Sequence, residues 1–494
     1  MGVLKKLAGQ TAIYGISSVL GRLLNIVLTP LYTRVFLPGV YGVLTYLYSW
    51  VALINVALTF GMETTFFRFA QDDKDPQEVY NQAFIWVLAL NLFFLLTAGL
   101  GYRLIAGWIG YADYAPLVLM TVGIIFLDTL AALPMARLRY REKVTRFAFI
   151  NLTNIGLTVA LNFLLLLLVG KDITYVFVAN VVASVVRTTM ALWGNLPTSL
   201  RPDREQLREM VRYGYYIAIA GIAGMMTQTI DRILIPALWK DGTVFREVAR
   251  TGDEMLGLYG ANYKLVMFIG LATQAFRYAV EPFFFKESSQ KDSPETFARI
   301  FHYFMLASLA GFLLLASFAK EIVSFEFNIF GLFRFTFIDS GYWQALDIVP
   351  ILLLAYVLNG AYLNLSIWFK ITKQVRYAIL FSGVGALIVI GINVLTVPVF
   401  GYMGSAWATF AGYAVMCVMV YLIGQRYYPI PYRTGRLLFY SLLFVIAYFL
   451  NAQIGPTDGF LMAFFWKTGI CLAVFAAVYV GEKYFPVFGG RRKK

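Results

Sequence analysis

The chain of 494 residues is 60% hydrophobic and only 14% charged, and its mean hydropathy is +0.70. Soluble globular chains carry roughly a quarter charged residues, so a water-soluble globular fold is excluded. A transmembrane β-barrel is excluded as well, since it would show short alternating segments rather than long apolar ones.

Apolar windows long enough to cross a hydrocarbon core of about 30 Å recur from end to end. They predict an all-α polytopic membrane protein of about fourteen transmembrane helices, near 11–33, 41–67, 83–105, 116–136, 148–169, 175–197, 213–238, 257–283, 301–319, 345–369, 377–399, 403–425, 437–452 and 459–482. The first follows Lys5 and Lys6 and lacks a small-residue cleavage site, so it is read as a retained start-transfer helix. Counting Lys and Arg with the amino terminus inside places 27 in inner segments, 8 in outer ones and 6 within helices. The positive-inside rule then sets both termini in the cytoplasm. The same asymmetry accounts for most of the +14 net charge, so no nucleic-acid partner is needed.

The connections are short except at 239–256 and 320–344, and none holds a soluble domain. No GxxxxGK[ST] loop is present, and no cofactor or metal is expected. Cys417 and Cys471 sit within apolar windows, with no disulfide or metal spacing. Asp72, Asp73 and Asp75 read as a solvated acidic loop, because no glycine turn or partner carboxylate accompanies them. The single histidine, His302, is expected at the cytoplasmic interface, and the aromatic stretch FEFNIFGLFRFTF (325–337) at the outer one.

An internal repeat runs through the chain. Residues 41–69 align without gaps on 259–287, with eight identities in 29 positions. Tyr41–Gly42 falls on Tyr259–Gly260, Glu63 on Glu281, Phe66 and Phe67 on Phe284 and Phe285, and Arg68 on Lys286. The second window is thereby paired with the eighth, as a tandem duplication of six helices in one orientation requires. Parallel repeats of this sort handle substrate between the halves. The expected division is a six-helix lobe over 1–200, a second over 201–425, and two additional helices with a basic tail over 426–494.

Ionisable residues inside the membrane are costly enough that each is a candidate site. Arg22 lies eleven residues into the first window, about 16 Å along a helix, and Arg187 and Asp128 are comparably deep. Asp231 and Arg232 occupy the outer half of the seventh window, and Lys264 lies toward the outer side of the eighth. Two arrangements are open: cations facing a cavity, or ion pairs such as Asp128 with Arg187 and Asp231 with Lys264. Asp128 or Asp231 is also a candidate ion-coupling carboxylate. Glu63 and Glu281 fall at the cytoplasmic edge, beside Arg68 and Lys286, with Arg277 one turn before Glu281. They read as helix-end anchors or parts of a cytoplasmic gate.

The opening KKLAGQTAIYGISSVLGRLLNIVLTPLYTRVFLPGVYGVLTYLYSW, with TIDRILIP, GLYGANYKLVMFIGLATQAFRYAVEPFFFKE and FGYMGSAWATFAGY in the second half, resembles polysaccharide flippases of the Wzx type. These belong to one superfamily with multidrug/toxin extrusion transporters and the lipid II flippase. The resemblance covers nearly the whole chain. It implies two six-helix lobes around a central cavity. It also implies translocation of a polyprenyl-(di)phosphate-linked oligosaccharide across a bacterial inner membrane by alternating access, serving surface polysaccharide or lipopolysaccharide (O-antigen) synthesis. No enzyme activity is then expected, and the partners are the lipid-linked sugar together with glycosyltransferases or a glycan polymerase, around a monomer.

An anionic headgroup calls for cations, and Arg suits phosphate through bidentate donation. The expected headgroup contacts are Arg22 first, then Arg187, Lys264 and Arg232. Three alternatives stay open: the lipid II flippase, a multidrug antiporter of the same superfamily, and an integral-membrane glycan polymerase or ligase. The antiporter exports cations and relies on first-lobe acids, whereas the first window here carries Arg22 and no acid.

Overall fold

The computed structural model describes residues 26–71, 75–239, 249, 251–287, 292–329, 333–372, 374, 376–454 and 460–484. Helix α1 (Thr29–Val35) leads through Pro38 into α2 (Pro38–Thr59), α3 (Met62–Phe69), α4 (Pro76–Leu100) and the short α5 (Tyr102–Trp108). Then come α6 (Ala115–Tyr140), α7 (Val144–Leu164) with a π-turn over Leu165–Val169, and α8 (Thr174–Leu192). The second part holds α9 (Arg204–Leu238), α10 (Gly252–Glu287), α11 (Ser293–Ser317), α12 (Ala319–Ser324), α13 (Ile348–Leu365), α14 (Ile367–Ile371) and α15 (Arg376–Tyr427). Helices α16 (Thr434–Ala452) and α17 (Phe460–Tyr484) close the chain.

Among the described residues, twelve helical stretches are long and apolar enough to cross a membrane. One of them, α15, takes two of the predicted windows, because the chain leaves helical geometry at Gly401 (φ 52°, ψ −134°). That left-handed backbone favours glycine, and here it turns the helix back on itself. The two limbs then pack antiparallel, with Ser405 donating to Asn393 and Gly412 against Val389. The first predicted window lies mostly in residues 1–25, outside the described residues.

The predicted second window is not one helix. Phe60 (φ 52°) and Gly61 (φ 66°) interrupt it, so α3 leaves at an angle that carries Glu63 away from the α2 axis. The seventh window begins nine residues earlier than its apolar pattern, because Asp203 caps α9 by accepting from the backbone N–H groups of Glu205 (3.0 Å) and Gln206 (3.2 Å). The aromatic outer stretch folds as a small antiparallel hairpin of β1 (Glu326–Ile329) and β2 (Phe333–Thr336), with Glu326 opposite Thr336.

Helices α2 and α10, which carry the repeat, cross at their outer ends with unusually close backbones. A side-chain carbon at Gly42 would stand 1.9 Å from the Asp253 carbonyl oxygen, and one at Gly257 would stand 1.8 Å from that of Pro38. Without water to drive apolar burial, membrane helices associate through such small-residue contacts. The crossing is reinforced on the same side. Tyr342 donates to the Phe36 carbonyl (2.7 Å), Asn262 to the Tyr342 carbonyl (2.8 Å), and Tyr111 to Asp253. Arg34 reaches Asp339 at 3.5 Å. Among the described residues these contacts hold this end of the bundle together.

The last two helices are clamped onto α11. Glu482 of α17 sits 3.2 Å from His302 Nε2 and 3.1 Å from Arg436, and Tyr440 donates to it at 3.0 Å. At the opposite end Lys467 pairs with Glu321 at 2.7 Å. His302 is therefore a buried interhelical residue (side chain 1% exposed), close to the start of α16 and the end of α17. The sequence hides this because Glu482 lies 180 residues away.

Candidate functional site

Between the outer end and the middle of the bundle lies a cavity of about 430 Å³. Helix α2 supplies one wall through Tyr41, Thr45, Tyr48, Ser49 and Asn55, spaced at helical intervals along one face. Across from it stand Gln228, Thr229 and Arg232 of α9, with Tyr263, Lys264 and Met267 of α10. Thr158, Asn180 and Tyr356 complete the polar lining, and Tyr32 enters from α1. Among the described residues, two cations and no carboxylate line this space.

Arg232 is held in place by an aromatic ring rather than by a side-chain ion pair among the described residues. Its guanidinium stacks 4.0 Å over the Tyr263 ring, whose hydroxyl is bonded to that of Tyr356. Stacking fixes the plane of the fork while leaving its N–H groups free to donate. Its Nε has no hydrogen-bond partner among the described residues, and the same holds for Tyr48 Oη and Asn55 Oδ1 on the facing wall. Lys264 lies twelve residues into α10, about 18 Å along it, and is engaged in no ion pair among the described residues. A buried polar group left unsatisfied is expensive, so a wall carrying several of them suits a polar occupant with both donors and acceptors.

Asp231 does not pair with Lys264. It is buried, and its oxygens accept from the Tyr259 hydroxyl at 2.5 Å and the Arg232 backbone N–H at 2.8 Å. Its position behind the wall orients the start of the Arg232 side chain rather than lining the cavity.

Arg187 and Asp128 form the other predicted arrangement. Arg187 Nη1 lies 3.2 Å from Asp128 Oδ1, which also accepts from Ser184 at 3.0 Å. The pair joins α8 to α6, and neither residue is among the described lining of the cavity, so of the two expected arrangements Arg187 and Asp128 adopt the ion pair. Arg22 lies outside the described residues.

The two repeat glutamates each bind a distant cation. Glu63 pairs with Arg139 at 2.5 Å, while Arg68 stacks 4.3 Å over the Tyr213 ring, so the expected Glu63–Arg68 partnership is not formed. Glu281 pairs with Lys370 at 2.5 Å and has Arg277 at 4.0 Å one turn earlier, as its spacing predicts. The Lys286 side chain lies outside the described residues. Both glutamates thus fasten the end of one helix to the end of another: α3 to α6, and α10 to α14.

Sequence reading overlooked the neutral polar lining. Asn55, Asn180 and Gln228 were visible as amides in apolar windows, a milder form of the intramembrane-polarity signal. The tyrosines were not, because aromatic residues are 17% of the chain.

No curated protein matches the chain. Solved structures do. The lipid II flippase MurJ in an inward closed conformation aligns with a TM-score of 0.74 at 14% identity, over 95% of this chain and 99% of that one. An inward-facing multidrug resistance MATE family transporter of the MOP superfamily aligns at 0.64 with 13% identity, over 83% and 94%. A MOP superfamily transporter from Pyrococcus furiosus, whose binding pocket is described as of reversed polarity, aligns at 0.55 with 14% identity, over 84% and 95%. At these identities the likeness is one of fold, and with the twelve helical stretches long and apolar enough to cross a membrane it makes this a multi-pass membrane protein. The family of polysaccharide biosynthesis proteins matches residues 7–287, and the chain belongs to that family.

Proposed function

We propose that the protein is a flippase that carries a polyprenyl-(di)phosphate-linked oligosaccharide from the cytoplasmic to the outer leaflet of a bacterial inner membrane. The observation that carries this reading is the cavity with Arg232 and Lys264 on its wall and no carboxylate among its described lining residues. A diphosphate needs charge-assisted donors, and Arg offers a planar fork while Lys offers a point charge. Sugars need hydroxyl and amide partners and flat apolar faces, which Thr45, Ser49, Asn55, Asn180 and the tyrosines supply. A cation exporter would want the opposite charge on this wall. The lobes are taken as 1–200 and 201–425, with 426–494 as an addition. In alternating access the α2–α10 crossing at Gly42 and Gly257 parts to release the headgroup outward. Both termini are placed in the cytoplasm, and the partners as glycosyltransferases and a glycan polymerase acting on the same lipid.

Deletion of the gene followed by lipid analysis tests the reading. Lipid-linked oligosaccharide trapped on the cytoplasmic leaflet is the expected result. Trapped lipid II would move the assignment to peptidoglycan precursors, and an unchanged lipid profile with altered drug sensitivity would overturn it.

A further inference from the structure

Residues 193–203 connect α8 to α9 without regular secondary structure. Three consecutive side chains near the start of α4 hold this segment by its backbone. Tyr80 donates to the Asn195 carbonyl at 2.6 Å. Asn81 accepts from the Thr198 N–H and donates to the Thr198 hydroxyl, both at 3.0 Å. Gln82 accepts from the Asp203 N–H at 3.0 Å and donates to the Arg201 carbonyl at 3.2 Å.

With the backbone fastened onto α4, apolar side chains are left outside. Trp193, Leu196 and Leu200 are 77%, 61% and 60% exposed. Helix α8 has 19 residues, about 28 Å, close to the thickness of a hydrocarbon core of about 30 Å. Trp193, which follows it, therefore stands at the membrane boundary, where tryptophan collects. Irregular backbone exposed to lipid is excluded from the hydrocarbon itself, so the segment runs along the headgroup layer.

Helix α9 then opens with a stripe of cations. It has 35 residues, about 52 Å, so its first turns lie outside the core. Arg204, Arg208 and Arg212 recur at every fourth residue and are exposed, one above the other on one face. Glu205 and Glu209 are on the same helix, yet none of the three arginine side chains makes an ion pair or hydrogen bond among the described residues. The opposite face is buried through Gln206, Met210 and Gly214. A side-chain carbon at Gly214 would stand 2.9 Å from the Phe60 carbonyl oxygen, so the stripe points away from the bundle.

Apolar anchors at the membrane boundary beside unengaged arginines fit a bilayer surface of negative charge. A soluble anion would use the arginines and leave Trp193, Leu196 and Leu200 in water. We infer that residues 193–212 are a seat for anionic phospholipid, with phosphates on Arg204, Arg208 and Arg212 and the upper acyl chains against the three apolar side chains. The seat lies at the end of the bundle opposite the α2–α10 crossing, in the inner leaflet under the proposed orientation. It stands apart from the cavity and from whatever the cavity carries.

The test is photo-crosslinking of the full-length protein in phosphatidylcholine nanodiscs. Trace phosphatidylglycerol or trace phosphatidylcholine carries a diazirine at the start of one acyl chain, and labelled peptides are mapped. Phosphatidylglycerol is expected to label residues 193–216 roughly 100-fold more strongly, because each basic residue near an anionic surface contributes about fivefold. Each single change among Arg204→Gln, Arg208→Gln and Arg212→Gln is expected to lower that preference about fivefold, and the triple change to bring the two probes level. The triple lysine variant is expected to keep the preference. Trp193→Ser with Leu200→Ser is expected to lower labelling by both probes. Unchanged phosphatidylcholine labelling of the other helices reports that the variants are folded.

Equal labelling by the two probes in the parent, or a preference that persists in the triple glutamine variant, overturns the proposal. Displacement of the phosphatidylglycerol probe by millimolar inorganic phosphate also overturns it, since the stripe would then take a soluble anion. Binding of a tail-less sugar diphosphate is expected to be the same in the parent and the triple glutamine variant. Its loss would overturn the proposal by assigning the arginines to the transported headgroup.

Discussion

Two sites in this molecule place an arginine at membrane depth, and they do opposite things with it. Arg187 meets Asp128 at 3.2 Å and becomes part of the seam between α8 and α6. Arg232 lays its guanidinium over the face of Tyr263, at 4.0 Å, shares its cavity wall with Lys264, and makes no side-chain ion pair among the described residues, its neighbour Asp231 being bonded to Tyr259 behind that wall. A buried charge with its counter-charge is neutralised and structural. One held by an aromatic ring keeps its field and its donors. Intramembrane charge is therefore a clue to function mainly where the neighbouring helix supplies no partner.

The largest expected effect follows from that contrast. Arg232→Gln together with Lys264→Gln should abolish translocation in proteoliposomes, and each single change should weaken headgroup binding roughly 10- to 100-fold, since hydrogen bonds to charged groups contribute about 1.5–3 kcal/mol. Retained transport in the double variant would erase the distinction between the two sites. The fold should be untouched, which thermal unfolding in detergent can check.

Gly42→Leu should come next. Its side chain cannot fit where the Asp253 carbonyl stands 1.9 Å away, so the crossing should part. A cysteine placed at Ser49 should then react with a membrane-impermeant maleimide from outside, and remain protected in the parent. If labelling does not rise, the crossing is not the outer barrier.

Asp128→Asn should leave transport largely intact and lower stability by about 2 kcal/mol, between the values for exposed and buried pairs, because both partners are about one quarter exposed. Adding Arg187→Gln should restore most of it in a double-mutant cycle. Loss of transport without loss of stability would return Arg187 to the substrate path. The smallest effect is expected for Glu63→Gln, whose pair with Arg139 is more than one third exposed. That change should cost less than about 1 kcal/mol.

Much of the architecture was legible before any coordinates. The long apolar windows could only be spanning helices, and the YG…E…FF repeat marked α2 and α10 as equivalent. Both then proved to be central: they form the outer crossing through Gly42 and Gly257 and supply opposite walls of the cavity. The boundaries were less legible where polar chemistry set them. Asp203 extends α9 by capping it, and the left-handed pair Phe60–Gly61 divides the second window, neither of which apolar periodicity registers.

The sequence by itself determined the class, the long apolar spanning segments and the short set of charged residues within them. It could do so because a bilayer imposes a length and a polarity on every segment that crosses it. The tertiary structure decided which of those charges are spoken for. Glu63 finds Arg139 at a separation of 76 residues, Glu281 finds Lys370 at 89, and His302 finds Glu482 at 180. Pairing at such separations depends on how helices are rotated and crossed against one another. That is settled by small-residue contacts and side-chain packing across the whole bundle, which no local pattern encodes.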